Sequence, residues 1–217
     1  MLQMQVGYDK EDNLQKAEDW ISVAAGEGAR VVVLPELFTT PFEAASIRQA
    51  SEPFSGGETV GAIRDAAARH GVLIVGGSFP EQAANGKSWN TSFAVSPTGE
   101  ILARYRKMHL FDPAYPGVGF KESDAMVAGD MLGFFDCLGI PAGLAICYDL
   151  RFPAFFAKYV REGVCLFFVP AAFNQVSGPA HWELLVRARA LDTQAWFVAV
   201  SPAPNRDLPY NPHGHSL

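Results

Sequence analysis

The chain has 217 residues, of which 49% are hydrophobic and 18% are charged, and its formal net charge is −6. This composition is typical of a globular protein that buries one sizeable core, and it excludes a disordered chain. Lys and Arg are scattered and form no basic block, so we do not expect a nucleic-acid partner. The apolar runs are no longer than strands and the N-terminus lacks a signal-peptide pattern, so we expect a cytoplasmic protein that does not enter a membrane.

The N-terminal part of the chain alternates between predicted strands and helices. Residues 2–6 predict a short strand, and the apolar positions between Leu14 and Ala24 predict an amphipathic helix that residues 12–13 cap. Residues 31–34 are apolar throughout, which is typical of a strand covered on both faces. Glu36 therefore comes just past the end of a buried strand.

A mixed sheet is predicted from the next part of the chain. A second helix carries Val60, Ile63 and Ala67 on one face and closes at Gly71. Three strands follow, separated by turn signals, and we expect them to form an antiparallel meander: residues 72–79, 88–95 and 100–106. Lys107 comes directly after the last of these strands.

The C-terminal half begins with a long loop. Residues 112–130 are rich in Pro and Gly without periodicity, and loops of this length are usually functional. Cys147 then follows an apolar run, which predicts a strand that delivers a thiol to the edge of a sheet. The predicted elements of this half are strands at 132–137, 140–146, 164–169 and 196–200 and helices at 153–161 and 180–193. The alternation in both halves favours a two-sheet sandwich.

Three reactive side chains thus follow three different strands: Glu36, Lys107 and Cys147. A thiolate can attack an acyl carbon, a carboxylate can take the thiol proton and later activate water, and an ammonium can stabilise the oxyanion. The set is sufficient for acyl transfer. Taken singly, each residue also fits a simpler interpretation, because charged groups at strand ends are usually solvated and a lone cysteine is usually core.

The cysteines do not indicate a metal site. Cys137, Cys147 and Cys165 lack the short spacing of zinc ligands, and no His cluster accompanies them. We therefore predict no metal, no cofactor and no disulfide framework.

Three motifs in this order resemble the nitrilase superfamily of carbon–nitrogen hydrolases: Pro35-Glu36-Leu37-Phe38, Arg106 to Asp112, and Cys147 to Pro153. The resemblance extends across essentially the whole chain. Residues 120–124 and 172–185 are most similar to the ω-amidase branch, whose members hydrolyse the distal amide of dicarboxylic monoamides such as 2-oxoglutaramate and succinamate.

The resemblance implies an α/β fold, a four-layer α-β-β-α sandwich with two mixed sheets, and a single carbon–nitrogen hydrolase domain over residues 1–217. It implies that Cys147 is the nucleophile, that Glu36 is the general base and that Lys107 stabilises the tetrahedral intermediate and donates a proton. Glu122 would orient the substrate amide and the lysine. Family members continue with further strands, so we expect a domain truncated at its C-terminus, and relatives pair, so we expect a homodimer or a higher homo-oligomer.

Other residues near the motifs receive smaller roles. The backbone N–H of Tyr148 would complete the oxyanion hole, and Tyr148 and Phe173 are candidate substrate-binding walls of the pocket. Arg151 or Arg187 could hold a substrate carboxylate, but we favour structural ion pairs for both. His109 is taken as a structural hydrogen-bonding residue, because the family does not use it as the base.

The predicted function is thiol-dependent hydrolysis of a linear amide, a small-molecule substrate, through a cysteine acyl-enzyme that releases ammonia. Two alternatives stay open. One is the same mechanism acting on N-carbamoyl amines or amino acids. The other is an inactive truncated fold that serves as an interaction module.

Overall fold

The computed structural model describes residues 1–113 and 121–217. The predicted loop 112–130 is therefore described only in part. Phe120 of the ω-amidase-like run lies outside the described residues, as do the loop residues Pro116, Gly117 and Gly119.

The described residues form alternating helices and strands. The helices are α1 (Lys10–Gly26), α2 (Ala44–Gln49), α3 (Glu58–His70), α4 (Pro153–Arg161) and α5 (Gly178–Thr193). The strands are β1 (Val31–Val33), β2 (Leu73–Val75), β3 (Phe79–Gln82), β4 (Ser88–Val95), β5 (Ile101–Arg106), β6 (Gly133–Cys137), β7 (Ile140–Leu144), β8 (Leu166–Pro170) and β9 (Trp196–Val200). No helix in the described ranges is long and apolar enough to cross a membrane.

The described strands form two mixed sheets, as predicted. In the first sheet, β1 is parallel to β2, and β4 runs antiparallel to β2, β3 and β5. The predicted meander is thus present, with β4 at its centre. In the second sheet the order is β6-β7-β8-β9, where β6 is antiparallel to β7 and the other pairs are parallel.

Side-chain alternation places the two sheets face to face between two helical layers. Val32 of β1 belongs to one apolar cluster with Ile21 of α1 and Ile63 of α3. Its neighbour Val33 points to the opposite face and belongs to a cluster with Leu144 of the second sheet. The far face of the second sheet is covered by α4 and α5, whose side chains share that cluster. The result is the predicted four-layer α-β-β-α sandwich.

Two predictions at the N-terminus are wrong. Residues 2–6 are not a strand, although the backbone N–H of Leu2 donates to the carbonyl of Val33 at 2.9 Å and alternate side chains are buried. The first helix begins at Lys10, and its cap is Asp9, whose carboxylate accepts the N–H of Asp12 at 3.1 Å. Asn13, one of the predicted caps, is buried inside the helix.

The predicted strand 72–79 is broken in the middle. β2 ends at Val75 and β3 begins at Phe79, because Gly77 between them has a φ of +55°, which is not an extended conformation. Glycine is the residue that adopts this backbone without strain. Gly76 packs against Phe93, since a Cβ there would lie 2.5 Å from its ring. The short helix α2 was not predicted.

Candidate active site

The four charged or reactive side chains that the family resemblance pointed to lie together. Nζ of Lys107 donates to Oε1 of Glu36 at 2.9 Å and to Oε1 of Glu122 at 2.8 Å. These three side chains are 1% exposed or less, and Cys147 is 8% exposed. All four line the same cleft, between the ends of β1, β5 and β7 and the segment around residue 122.

The end of β1 turns sharply to place Glu36. Leu37 has a φ of +47°, and its N–H donates to the hydroxyl of Ser78 at 2.9 Å. Gly77 packs directly behind this turn, since a Cβ there would lie 2.1 Å from the carbonyl oxygen of Pro35. The segment between β2 and β3 therefore packs against the turn that carries Glu36 and holds it in place.

Lys107 and Glu122 are held by backbone as well as by each other. The N–H of Lys107 donates to the carbonyl of Asn90 at 2.8 Å, which extends the β4–β5 ladder past the end of β5. Glu122 begins a short 3-10 helix, and its Oε2 accepts the N–H of Phe111 at 2.6 Å. Both oxygens of Glu122 are therefore engaged.

Cys147 follows β7 at the start of a second 3-10 helix and has a φ of +46°. A side chain in this left-handed region costs free energy and is found where function requires it. Asp149, two residues on, is fully buried, and its Oδ2 accepts the N–H of Ile146 at 2.8 Å and the hydroxyl of Tyr105 at 2.7 Å. The turn that carries the thiol is thus tied to β5.

The other oxygen of Asp149 holds the segment after Lys107. Oδ1 accepts the backbone N–H of His109 at 3.2 Å and lies 2.7 Å from Nδ1 of that ring. The imidazole stacks on Phe152 with ring centroids 3.8 Å apart. The structure therefore places His109 on Asp149, as a structural hydrogen-bonding residue would be.

Burial is the largest single influence on the pKa values of Cys147, Glu36 and Lys107. Burial raises the pKa of Cys147 well above its ordinary value, and the Glu36 carboxylate raises it further against the opposing effect of Lys107. Burial also raises the pKa of Glu36, while Lys107 lowers it. Burial by itself would lower the pKa of Lys107, but the two carboxylates outweigh it and the net pKa is raised. The resting site therefore holds a charged lysine and a protonated thiol, which needs a base.

The empty space in the cleft, counted together with the open solvent at its mouth, is about 310 Å³. Its walls include Tyr148 and Phe173, the two residues predicted to bind substrate, and their binding role stays a prediction. The remaining lining residues come from both sheets and their loops: Glu36, Phe42, Lys107, Phe111, Glu122, Cys147, Arg151, Ser177 and Tyr210.

Arg151 does not form the ion pair we predicted. Its guanidinium lies 5.5 Å from the ring centroid of Tyr148 and 5.6 Å from that of Phe173. Its Nη2 lies 3.0 Å from Nδ1 of His181. Among the described residues no carboxylate pairs with it, and its buried Nε has no acceptor. Arg187 does form the predicted ion pair, with Glu183 at 3.0 Å on the surface.

Sequence reasoning missed Asn90. This fully buried side chain donates through Nδ2 to Oε1 of Glu36 at 2.9 Å and to Oε1 of Glu122 at 3.2 Å. The available signal was an asparagine inside a predicted central strand, where this residue type is disfavoured.

Comparisons with known proteins agree with this architecture. The chain is 42% identical over 217 residues to nitrilase homolog 2 of Dictyostelium discoideum, covering 99% of this chain and 66% of that protein. It is 40% identical over 217 residues to omega-amidase NIT2 of Homo sapiens, covering 100% of this chain and 78% of that protein.

Solved structures show the same fold. Saccharomyces cerevisiae Nit3, a member of branch 10 of the nitrilase superfamily, superposes with a TM-score of 0.90 at 33% identity, covering 100% of this chain and 79% of that one. The C. elegans NitFhit protein superposes with a TM-score of 0.85 at 31% identity, covering 99% of this chain and 53% of that one.

The family model described as carbon-nitrogen hydrolase matches residues 1–217. The likeness to an omega-amidase extends over all of this chain, and the nitrilase-type sandwich agrees with it. The family match therefore confirms the predicted resemblance and the prediction of an enzyme that acts on carbon–nitrogen bonds. The chain therefore belongs to the carbon–nitrogen hydrolase family, within the nitrilase superfamily.

Proposed function

We propose that the chain hydrolyses the ω-amide of a dicarboxylic acid monoamide through an acyl-enzyme at Cys147. The observation that carries the proposal is the buried group of Cys147, Glu36, Lys107 and Glu122 on one cleft. The same cleft contains an arginine that pairs with no carboxylate in the described part of the chain. Relatives that are 40% identical carry the name omega-amidase, which supports the same choice of substrate.

In the first half of the reaction, Glu36 takes the proton of the Cys147 thiol and the sulfur attacks the amide carbon. The need for this base follows from the buried thiol, whose pKa lies well above its ordinary value because of burial and of the nearby Glu36 charge. Lys107 and the backbone N–H of Tyr148 stabilise the oxyanion. Lys107 donates a proton to the nitrogen and recovers one from Glu36, to which it is hydrogen-bonded. The C–N bond then breaks, ammonia leaves and a thioester remains on Cys147.

In the second half, a water molecule attacks the thioester carbon. Glu36 takes a proton from this water, and the thiol leaves with a proton, which regenerates the enzyme and yields the dicarboxylic acid. Glu122 holds Lys107 throughout, because its Oε1 accepts from Nζ at 2.8 Å while its Oε2 is fixed by backbone.

The surroundings of Arg151 support the proposal that the substrate is an anion. Its guanidinium lines the cleft beside two aromatic rings, and within residues 1–113 and 121–217 its buried Nε has no acceptor. A buried unpaired donor of this kind is satisfied when a carboxylate binds to it. A dicarboxylic monoamide places a carboxylate at one end of the molecule and the scissile amide at the other, so both ends are recognised in one cleft.

The test is ammonia release from succinamate and from 2-oxoglutaramate by the wild type and by Cys147→Ala. We expect release by the wild type only, with a thioester adduct on Cys147 detected by mass spectrometry. Ammonia release by Cys147→Ala at the wild-type rate would contradict the mechanism. An enzyme that releases carbon dioxide from N-carbamoyl compounds but no ammonia from succinamate would contradict the substrate class.

The role of Arg151 is tested with a matched pair of substrates, succinamate and the uncharged butyramide. We expect Arg151→Met to reduce kcat/KM for succinamate about 10- to 100-fold relative to the wild type. For butyramide, kcat/KM of this variant should stay within about threefold of the wild-type value. Arg187→Met, which removes an exposed arginine of α5, is the control and should change neither value. Equal loss with both substrates would show that Arg151 does not recognise the carboxylate.

A further inference from the structure

We propose that Asn90 is a positioning residue that holds Glu36 and Glu122 together on Lys107 as an uncharged double donor. The inference rests on the proposed function for its kinetic consequences, but its geometry stands by itself. Asn90 lies in β4, pairs with Pro80 of β3 and is fully buried. Among the described residues that line the cleft, Asn90 is not present.

Two nitrogen atoms bridge the same two oxygen atoms. Nζ of Lys107 and Nδ2 of Asn90 both donate to Oε1 of Glu36, each at 2.9 Å. Both also donate to Oε1 of Glu122, at 2.8 Å and 3.2 Å. Each Oε1 therefore has two donors, and the two carboxylates cannot move apart without breaking bonds to both nitrogens.

This arrangement decides which oxygen of Glu36 is available for chemistry. Oε1 is engaged twice, whereas Oε2 is buried and takes no part in the arrangement. Oε2 is therefore the atom that can take the proton of Cys147. A side chain held by Lys107 alone could rotate and exchange the two oxygens, so Asn90 is what fixes the orientation of the base.

An uncharged donor suits this position. The site already contains two carboxylates, one ammonium and a thiol, and Arg151 lines the same cleft. A second cation at residue 90 would give each carboxylate its own partner and free Glu122 from Lys107. An aspartate would add a third negative charge around a single lysine. An amide supplies two N–H donors without changing the charge.

The same residue also holds the backbone of Lys107. The carbonyl of Asn90 accepts the N–H of Lys107 at 2.8 Å, so backbone and side chain of one residue position both the lysine and its two partners. Oδ1 of Asn90 is buried without a hydrogen-bond partner among the described residues, which lowers stability. A residue selected for stability alone would not leave this oxygen unpaired.

The test compares Asn90→Leu, which keeps the approximate size and removes both donors, with Ser92→Ala. Ser92 lies on the same face of β4, is fully buried, and its hydroxyl has no hydrogen-bond partner among the described residues. Two readouts are used. One is kcat and KM for ammonia release from succinamate as a function of pH. The other is the rate at which iodoacetamide alkylates Cys147, followed by peptide mass spectrometry, which needs no substrate.

We expect Asn90→Leu to lower kcat about 10- to 100-fold with KM within about twofold, and Ser92→Ala to resemble the wild type. The acidic limb of both pH profiles should move up by about one pH unit in Asn90→Leu, because donors to an ionised carboxylate lower its pKa and their loss raises it. A purely structural residue would lower the amount of folded enzyme without moving these limbs.

Unchanged limbs and unchanged kcat in Asn90→Leu would overturn the inference, as would equal effects of Asn90→Leu and Ser92→Ala. If the wild type does not hydrolyse succinamate, the proposed function fails, while the alkylation profiles still decide the role of Asn90. If Asn90→Leu does not fold, Asn90→Ala removes both N–H donors without adding bulk or charge, and retention of more than about half of kcat in that variant would equally refute the role.

Discussion

The substitution Asp149→Asn tests whether a buried charge holds the turn that carries Cys147. Oδ2 of Asp149 accepts the backbone N–H of Ile146 at 2.8 Å, and Oδ1 accepts the backbone N–H of His109 at 3.2 Å. Each oxygen thus has one backbone donor. An asparagine has a single acceptor oxygen and an NH₂ group. Whichever way its amide is turned, one of the two backbone N–H groups faces another donor.

The magnitude follows from the bonds that change. A buried N–H without an acceptor costs about 1–3 kcal/mol, and each remaining bond, including that of the Tyr105 hydroxyl, loses its charged acceptor. We therefore expect the free energy of unfolding to fall by about 3–5 kcal/mol. For a chain of this size the melting temperature should fall by about 6–20 °C. The loosened turn should also lower kcat at least about tenfold.

Urea denaturation followed by circular dichroism measures the change. The control is Asp136→Asn, because Asp136 is exposed and accepts only the N–H of Gly139, at 2.7 Å, which an asparagine oxygen accepts equally well. The free energy of unfolding of this control should lie within about 0.5 kcal/mol of the wild-type value. If the free energy of unfolding of Asp149→Asn also lies within about 1 kcal/mol of the wild-type value, the buried charge does not hold the turn and the reasoning is wrong.

Two further predictions concern Glu36 and the turn that holds it. If Glu36 is the general base, as proposed, it must be ionised to accept a proton. Burial raises its pKa, so kcat/KM should fall on acidification with a midpoint above 4.5, the ordinary value, and a midpoint at or below 4.5 would contradict this account. Gly77→Ala places a Cβ 2.1 Å from the carbonyl oxygen of Pro35 at a φ of +55°, so melting temperature and kcat should both fall. Gly61→Ala in α3 meets no atom within 4 Å and should stabilise the chain by about 0.5–1 kcal/mol; equal melting temperatures for the two variants would refute the steric argument.

The candidate site was only partly accessible to sequence reasoning. Glu36, Lys107 and Cys147 could be proposed because each follows an apolar run that ends abruptly, and such a strand end is a local signal. Glu122 came only from the family resemblance, since it lies in a loop without periodicity. Asn90 was missed because the partner that explains it, Glu36, lies 54 residues away in the chain. A bond of this kind exists only after β1 and β4 have been brought into one sheet.

The same distinction holds for the fold. Hydrophobic periodicity by itself determined most of the strands and helices and that β1 is covered on both faces, because the pattern of buried side chains is set by residues that are neighbours in the sequence. It did not determine that residues 2–6 stay outside the sheet, that residues 72–79 break at Gly76 and Gly77, or that Arg151 has no carboxylate partner among the residues that the structure describes. Only the tertiary structure decided these points. Each depends on what a distant segment places next to the residue, such as the ring of Phe93 against Gly76, and a local pattern carries no information about that neighbour.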